Sequence, residues 1–219
     1  LKYMNRAHNA IEALNSIKMA QDEGFQNITI DLIYGTPGMS NEDWKYNLRK
    51  SFALNLPHIS SYALTVEEKT PLYYQILKKN IGPVDEKQSA DQFKILMDEM
   101  FRYGYEQYEI SNFCKDHSYS KHNSSYWKKE HYLGFGPSAH SYFGNSRLWN
   151  VSNNVKYIKA LSGSQLPLVK ENLNTQDMYN EYVMTSLRTK WGCSLIEIEK
   201  DYSRSYLNYF KVQIQGHEM

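Results

Sequence analysis

Asn27-Ile28-Thr29-Ile30-Asp31-Leu32-Ile33-Tyr34-Gly35-Thr36-Pro37-Gly38, residues 27–38, is the stretch on which the fold is decided. Its apolar and β-branched run from Asn27 to Tyr34 reads as a strand, and the glycines with Pro37 mark a turn directly after it. Just beyond, Ser40 with Asp43 forms a capping-box pattern, and Trp44, Leu48 and Phe52 recur at helical spacing. A second strand, His58 to Leu64, follows. Upstream, Ala7, Ala10, Ile11, Leu14 and Ile17 predict an amphipathic helix over residues 7–22, stopped by Gly24. Downstream, a short helix from Pro71 must end before Gly82-Pro83. Asp85 then caps a helix whose Ala90, Phe93, Leu96, Met97 and Met100 share a face, and after Gly104 comes a third strand, Tyr105 to Ile110. Helix and strand alternate with short links, which predicts an α/β fold of parallel strands with crossover helices, either part of a barrel or an open sheet.

Outward of that core the pattern changes. Residues 111–150 read as one long irregular stretch rich in His, Tyr, Ser, Asn and Gly, and connectors of such length are functional or disordered. Its aromatic content argues against disorder. Beyond it Met178, Tyr179, Tyr182, Val183 and Leu187 form a helical stripe behind a Thr175 cap, stopped by Gly192. The expected organisation is a first domain over residues 1–150 and a second, mostly helical one over residues 151–219, its helical unit starting at about residue 165.

Composition narrows the function. The 219 residues carry 25 Lys plus Arg against 24 Asp plus Glu, so no overall field draws the chain to nucleic acid or anionic lipid. No run of about 18 apolar residues suggests a transmembrane span, and the opening Leu1 to Ala10 has no targeting pattern, so a cytoplasmic protein is expected. Two cysteines, Cys114 and Cys193, make neither a disulfide framework nor a cysteine-only metal site. The 19 tyrosines either pack at half-buried surfaces or wall a large flat ligand.

Several residues could carry chemistry. A carboxylate at Asp31, inside an apolar strand, needs a partner, which is either a neighbouring Arg or Lys or the ribose hydroxyls of a ligand at the sheet's carboxyl end. Gly35-Thr36-Pro37-Gly38 lacks the lysine and spacing of a phosphate loop and reads as a tight turn. Gly134-Phe135-Gly136-Pro137 is either a simple turn or a place where backbone approaches something closely. His122-Asn123-Ser124-Ser125-Tyr126-Trp127 sets a potential axial ligand of heme iron beside two rings that suit a porphyrin plane. A structural, hydrogen-bonded histidine is the alternative.

Five strings, taken together, resemble one family. Residues 31–38 resemble its DLIYGLPGQ, and residues 57–67, Pro57 to Glu67, resemble PHISxYxLTxE. Tyr105 to Phe113 resembles GYxQYEISNFA with Cys114 in place of the alanine, His122 to Trp127 matches HNxxYW, and Tyr132 to His140 resembles YLGIGPGAH. The family is the radical S-adenosylmethionine proteins related to oxygen-independent coproporphyrinogen oxidases. HNxxYW is similar to its heme-chaperone branch, the HemW type, because the oxidases themselves lack it. The resemblance spans about residues 1–190.

What the resemblance implies is a partial TIM-type barrel followed by a HemN-like C-terminal helical domain. It further implies S-adenosylmethionine contacts at Arg6, Asp31, the backbone near Thr65 and His140, with Arg6 compensating the charge of Asp31. Heme would be held by His122 as iron ligand with Tyr126 and Trp127 flanking the ring. The family's CxxxCxxC, whose thiolates hold a 4Fe-4S cluster, has no counterpart among these 219 residues. The expectation is therefore a fragment, itself catalytically inert with no catalytic residue of its own, of a heme-binding and heme-delivering protein. The alternative is a coproporphyrinogen oxidase of porphyrin biosynthesis. Heme is the expected partner, together with a heme-receiving protein the sequence does not name. An unprotected sheet edge also suggests a homodimer.

Overall fold

A computed structural model describes residues 6–217. They form two compact units, divided between Tyr119 and Ser120.

The first unit begins with α1 (Ala10–Asp22), which starts three residues later than the periodicity predicts. Asn9 takes the cap, accepting from the backbone of Ile11 and Glu12 while the Glu12 carboxylate returns to the Asn9 N–H. β1 (Thr29–Tyr34) is followed by α2 (Asn41–Phe52), opened by the Ser40–Asp43 capping box. Then come β2 (His58–Ala63), α3 (Pro71–Leu77) with a Thr70 cap and Pro at its first turn, and α4 (Glu86–Arg102) capped by Asp85. β3 (Glu106–Glu109) and β4 (Asn112–Cys114) complete it.

The four strands are ordered β1-β2-β4-β3. β1 and β2 run parallel, as the alternation predicts. The expectation of parallel neighbours fails beyond β2: the chain turns back after β3, and β4 inserts between β2 and β3, antiparallel to both. A two-residue turn at Ile110-Ser111 suffices for that reversal, whereas a parallel neighbour would need a crossover.

One face of this sheet is apolar. Ile30, Ile59 and Phe113 lie in one register row, and with Leu32 and Tyr34 they meet Trp44, Leu48 and Phe52 of α2 and Leu96 and Met100 of α4. Each such side chain contributes about 1.5–3 kcal/mol on burial. The Trp44 indole N–H donates to the Gln92 carbonyl at 3.0 Å, so the largest ring in the core leaves no polar atom unmatched.

The second unit corrects two expectations. Residues 111–150 are not one irregular stretch: besides β4 they hold α5 (Lys121–Trp127), β5 (His140–Phe143) and β6 (Ser146–Asn150). These elements are short and carry little periodicity. β6 pairs with β7 (Leu168–Asn172) in the sheet β5-β6-β7, so a boundary after Asn150 would separate paired strands, and the compact unit begins at Ser120 instead. α6 (Asn154–Ser162) links them, and α7 (Thr175–Ser186), α8 (Leu195–Asp201) and α9 (Arg204–Gln215) follow. The α7 cap is Asn174, in a capping box with Asp177, and Thr175 is the first helical residue. Tyr179, Ile198, Leu207 and Phe210 form this unit's core, with Tyr182, Tyr202 and Tyr206 packed against it. Here the tyrosines pack on one another, Tyr179 and Tyr206 at 4.7 Å between ring centres.

Candidate functional site

In the first unit, chemistry sits on the face of the sheet opposite the apolar one. Strand alternation and register place two polar rows there. One runs Thr29, His58, Cys114, Glu106, and the next Asp31, Ser60, Asn112, Glu109. A bulge between Gln107 and Glu109 lets Glu106 and Glu109, three residues apart, share the face. His58 is buried, with Thr29 Oγ1 2.7 Å from Nδ1 and the Tyr108 hydroxyl 2.7 Å from Nε2. Burial holds its pKa below the ordinary histidine value, and the charge of Asp31 pulls the other way. Ser60 donates to Asn112 Oδ1 at 2.9 Å, and Asn112 Nδ2 donates to Glu109 Oε2 at 2.5 Å. Sequence reasoning passed over His58, Ser60, Asn112 and Glu109. Polar residues at alternate positions of PHISSY were the available signal.

Asp31 departs from its expected setting. It is exposed, and among the described residues its carboxylate forms no hydrogen bond or ion pair, with Arg6 or any other group. The apolar neighbours that suggested a buried charge point to the other face, onto α2 and α4. Thr65 lies exposed in the loop after β2, and Arg6 is exposed. Gly35, in the turn after β1, has φ +70°, and a Cβ there would lie 2.7 Å from the Ser89 hydroxyl oxygen. Its N–H donates to Gln92 Oε1 at 2.7 Å, so the turn serves α4 and is no phosphate cradle.

In the second unit, Ser120 caps α5, and the helix carries His122 and Tyr126 one turn apart on an exposed side. Their rings stand edge to face with centres 5.1 Å apart, and the Tyr126 hydroxyl is 3.3 Å from His122 Nε2. Tyr126 in turn meets Tyr132 at 4.9 Å. Trp127, the next residue, turns to a packed side, where the Arg188 guanidinium lies 5.1 Å from its ring centre. The structure thus brings Tyr126 to His122 and aims Trp127 elsewhere. His140, on β5, is exposed and stacks on Trp149, its cross-strand partner. A Cβ on Gly134 would fall 2.1 Å from the His140 carbonyl oxygen, so the close approach permitted by this glycine is to its own chain.

Among the described residues no group of three or more His, Cys, Asp or Glu side chains is placed to hold a metal ion, and Cys114 is fully buried in the sheet. These residues do not fit an iron–sulfur cluster. A single axial imidazole fits heme, because His122 is accessible and, among the described residues, its Nε2 meets only the long Tyr126 hydroxyl contact. An open carboxylate at Asp31 fits the hydroxyls of a ribose.

No family model matches the chain. The solved structure of coproporphyrinogen III oxidase (HemN) from Escherichia coli, described as a radical SAM enzyme, matches with TM-score 0.78 at 19% identity, over 96% of this chain and 51% of that one. The fold is therefore mixed α/β and like that of the matched half of HemN. In sequence, the heme chaperone HemW of Bacillus subtilis (strain 168) is 34% identical over 206 residues, 94% of this chain and 54% of that protein. The mitochondrial radical S-adenosyl methionine domain-containing protein 1 of Dictyostelium discoideum is 39% identical over 151 residues, 64% of this chain and 33% of that one. The chain is a homologue of the HemW heme chaperones along nearly its whole length. It spans about half the length of the curated relatives it matches.

Proposed function

We propose that this chain binds heme and passes it on, on a radical S-adenosylmethionine scaffold. One observation carries the heme reading: on α5, in the segment matching HNxxYW, His122 is exposed with Tyr126 set edge-on beside it. An imidazole nitrogen is a common axial ligand of heme iron, and an adjacent aromatic ring covers part of a porphyrin face. His122 would ligate the iron and Tyr126 would flank the ring. Trp127 would contribute by anchoring α5 beneath Arg188, rather than by touching the ligand.

S-adenosylmethionine is assigned to Asp31, accepting from its ribose, with Arg6 and the backbone near Thr65 of the same unit as further contacts. In radical enzymes a 4Fe-4S cluster reduces this cofactor and cleaves it. The described residues supply no ligand set for that cluster, so these 219 residues are read as binding and positioning without radical chemistry of their own.

Anaerobic incubation of the protein with coproporphyrinogen and, separately, with heme and an apo-heme acceptor tests the reading. Heme transfer without porphyrinogen turnover is the expected result. Turnover of coproporphyrinogen would instead support an oxidase, the activity named for the structural neighbour.

A further inference from the structure

The row Asp31, Ser60, Asn112, Glu109 crosses all four strands of the first unit, and its hydrogen bonds have a direction. Glu109 Oε2 accepts from the Ser111 backbone N–H at 2.9 Å and from Asn112 Nδ2 at 2.5 Å. An oxygen that already takes a backbone N–H is an acceptor, so Asn112 must point its amide nitrogen at β3 and its Oδ1 at β2. Ser60 donates to that Oδ1 at 2.9 Å. A hydroxyl has one proton to give, so Ser60 has none left for Asp31, its register neighbour on a strand about 4.8 Å away. Asp31 is exposed, and its carboxylate has no hydrogen bond or ion pair among the described residues.

We infer that Glu109 and Asn112 are positioning residues: they turn the Ser60 hydroxyl away from Asp31, keeping that carboxylate an open acceptor for the vicinal hydroxyls of a ribose-bearing ligand. The inference rests on the assignment of Asp31 to ribose made above. It explains why a hydrogen-bonded chain of three buried polar side chains ends one strand short of the only exposed member of its row. An exposed, unpaired carboxylate favours a ligand that brings donors and disfavours an anion.

The test uses S-adenosylhomocysteine as probe, titrated calorimetrically into the intact protein. Asn112→Ala frees the Ser60 proton, the adjacent carboxylate captures it, and probe affinity falls by about fivefold, the scale of one hydrogen bond. Adding Ser60→Ala to Asn112→Ala removes the competing donor and returns affinity to within about twofold of Ser60→Ala alone. A purely structural role for Asn112 gives no such recovery, because the second substitution only deletes another buried polar group. If Asn112→Ala does not fold by circular dichroism, Asn112→Leu fills the same volume and is tested in the same cycle. Loss without recovery, while Asp31→Ala still abolishes binding, overturns the inference and leaves the ribose assignment standing. Unchanged affinity in Asp31→Ala removes both.

Discussion

His58 is the buried histidine of the polar face, and its protonation penalises folding. Its folded pKa lies below the ordinary value of 6.5 because burial disfavours the charged ring. The unfolded chain therefore takes up the proton first on acidification. The contribution of neutral His58 is complete above about pH 6.5 and declines as pH falls through that value toward the lower folded pKa. Urea midpoints should drop between about pH 7.5 and 5.5, and His58→Gln, which keeps hydrogen-bonding groups but cannot titrate there, should flatten the slope. An equal slope in the variant would assign the pH dependence to other groups. Gly134 makes a second residue-scale prediction. Gly134→Ala forces a Cβ to 2.1 Å from a backbone oxygen, so unfolding free energy should fall by about 3 kcal/mol in denaturant titrations. Sequence marked this glycine as a close-approach position, but what approaches is strand β5, which no local pattern reveals. Asp31 was singled out from sequence too, though for a reason that proved mistaken: its row-mates are polar and its apolar neighbours face the other way.

Among the elements, α5 is held by a short anchor immediately after it. Lys129 donates to the Met178 carbonyl at 2.7 Å and to the Tyr202 hydroxyl at 2.8 Å, and its ammonium lies 5.2 Å from the Tyr182 ring centre and 5.4 Å from that of Tyr202. Burial depresses its pKa to about 8, with Glu181 and Asp201 pulling it back. The unfolded chain holds the extra proton between about pH 8 and 10.5, so this lysine favours the fold increasingly as pH rises across that window. Lys129→Ala removes one of two side-chain donors to the Met178 carbonyl, the Tyr202 hydroxyl at 3.2 Å being the other, and takes from that phenol the donor it accepts from. It should cost about 1–3 kcal/mol and raise hydrogen exchange in α5 amides; unchanged exchange would show that α5 is held by other contacts. Helices α2 and α4 were legible because caps and periodicity agreed within each, and the short α3 because Pro71 opens it and Gly82-Pro83 bounds it. The β3–β4 hairpin and α5 were not. A three-residue strand, a seven-residue helix and a bulge carry too few repeats to show a period, and the bulge moves Glu109 to a face that simple alternation denies it.

For the whole molecule, parallel β1 and β2, with α2 between them in the chain, were enough to indicate an α/β class, and the HNSSYW string is the sequence feature behind the heme proposal. What stayed hidden was the division at Ser120, because the three-stranded sheet of the second unit is assembled from strands separated by α6. The candidate heme residues all fall in the second unit, whereas Asp31 and its row fall in the first. No helix among the described residues is long and apolar enough to cross a membrane. Heme ligation by His122 can be read from Soret absorbance during titration of ferric heme into wild type, His122→Ala and Asp31→Ala. Saturable binding is expected in wild type and in Asp31→Ala, with affinity weakened about tenfold or more in His122→Ala. Identical Soret shifts and affinities in wild type and His122→Ala would contradict it.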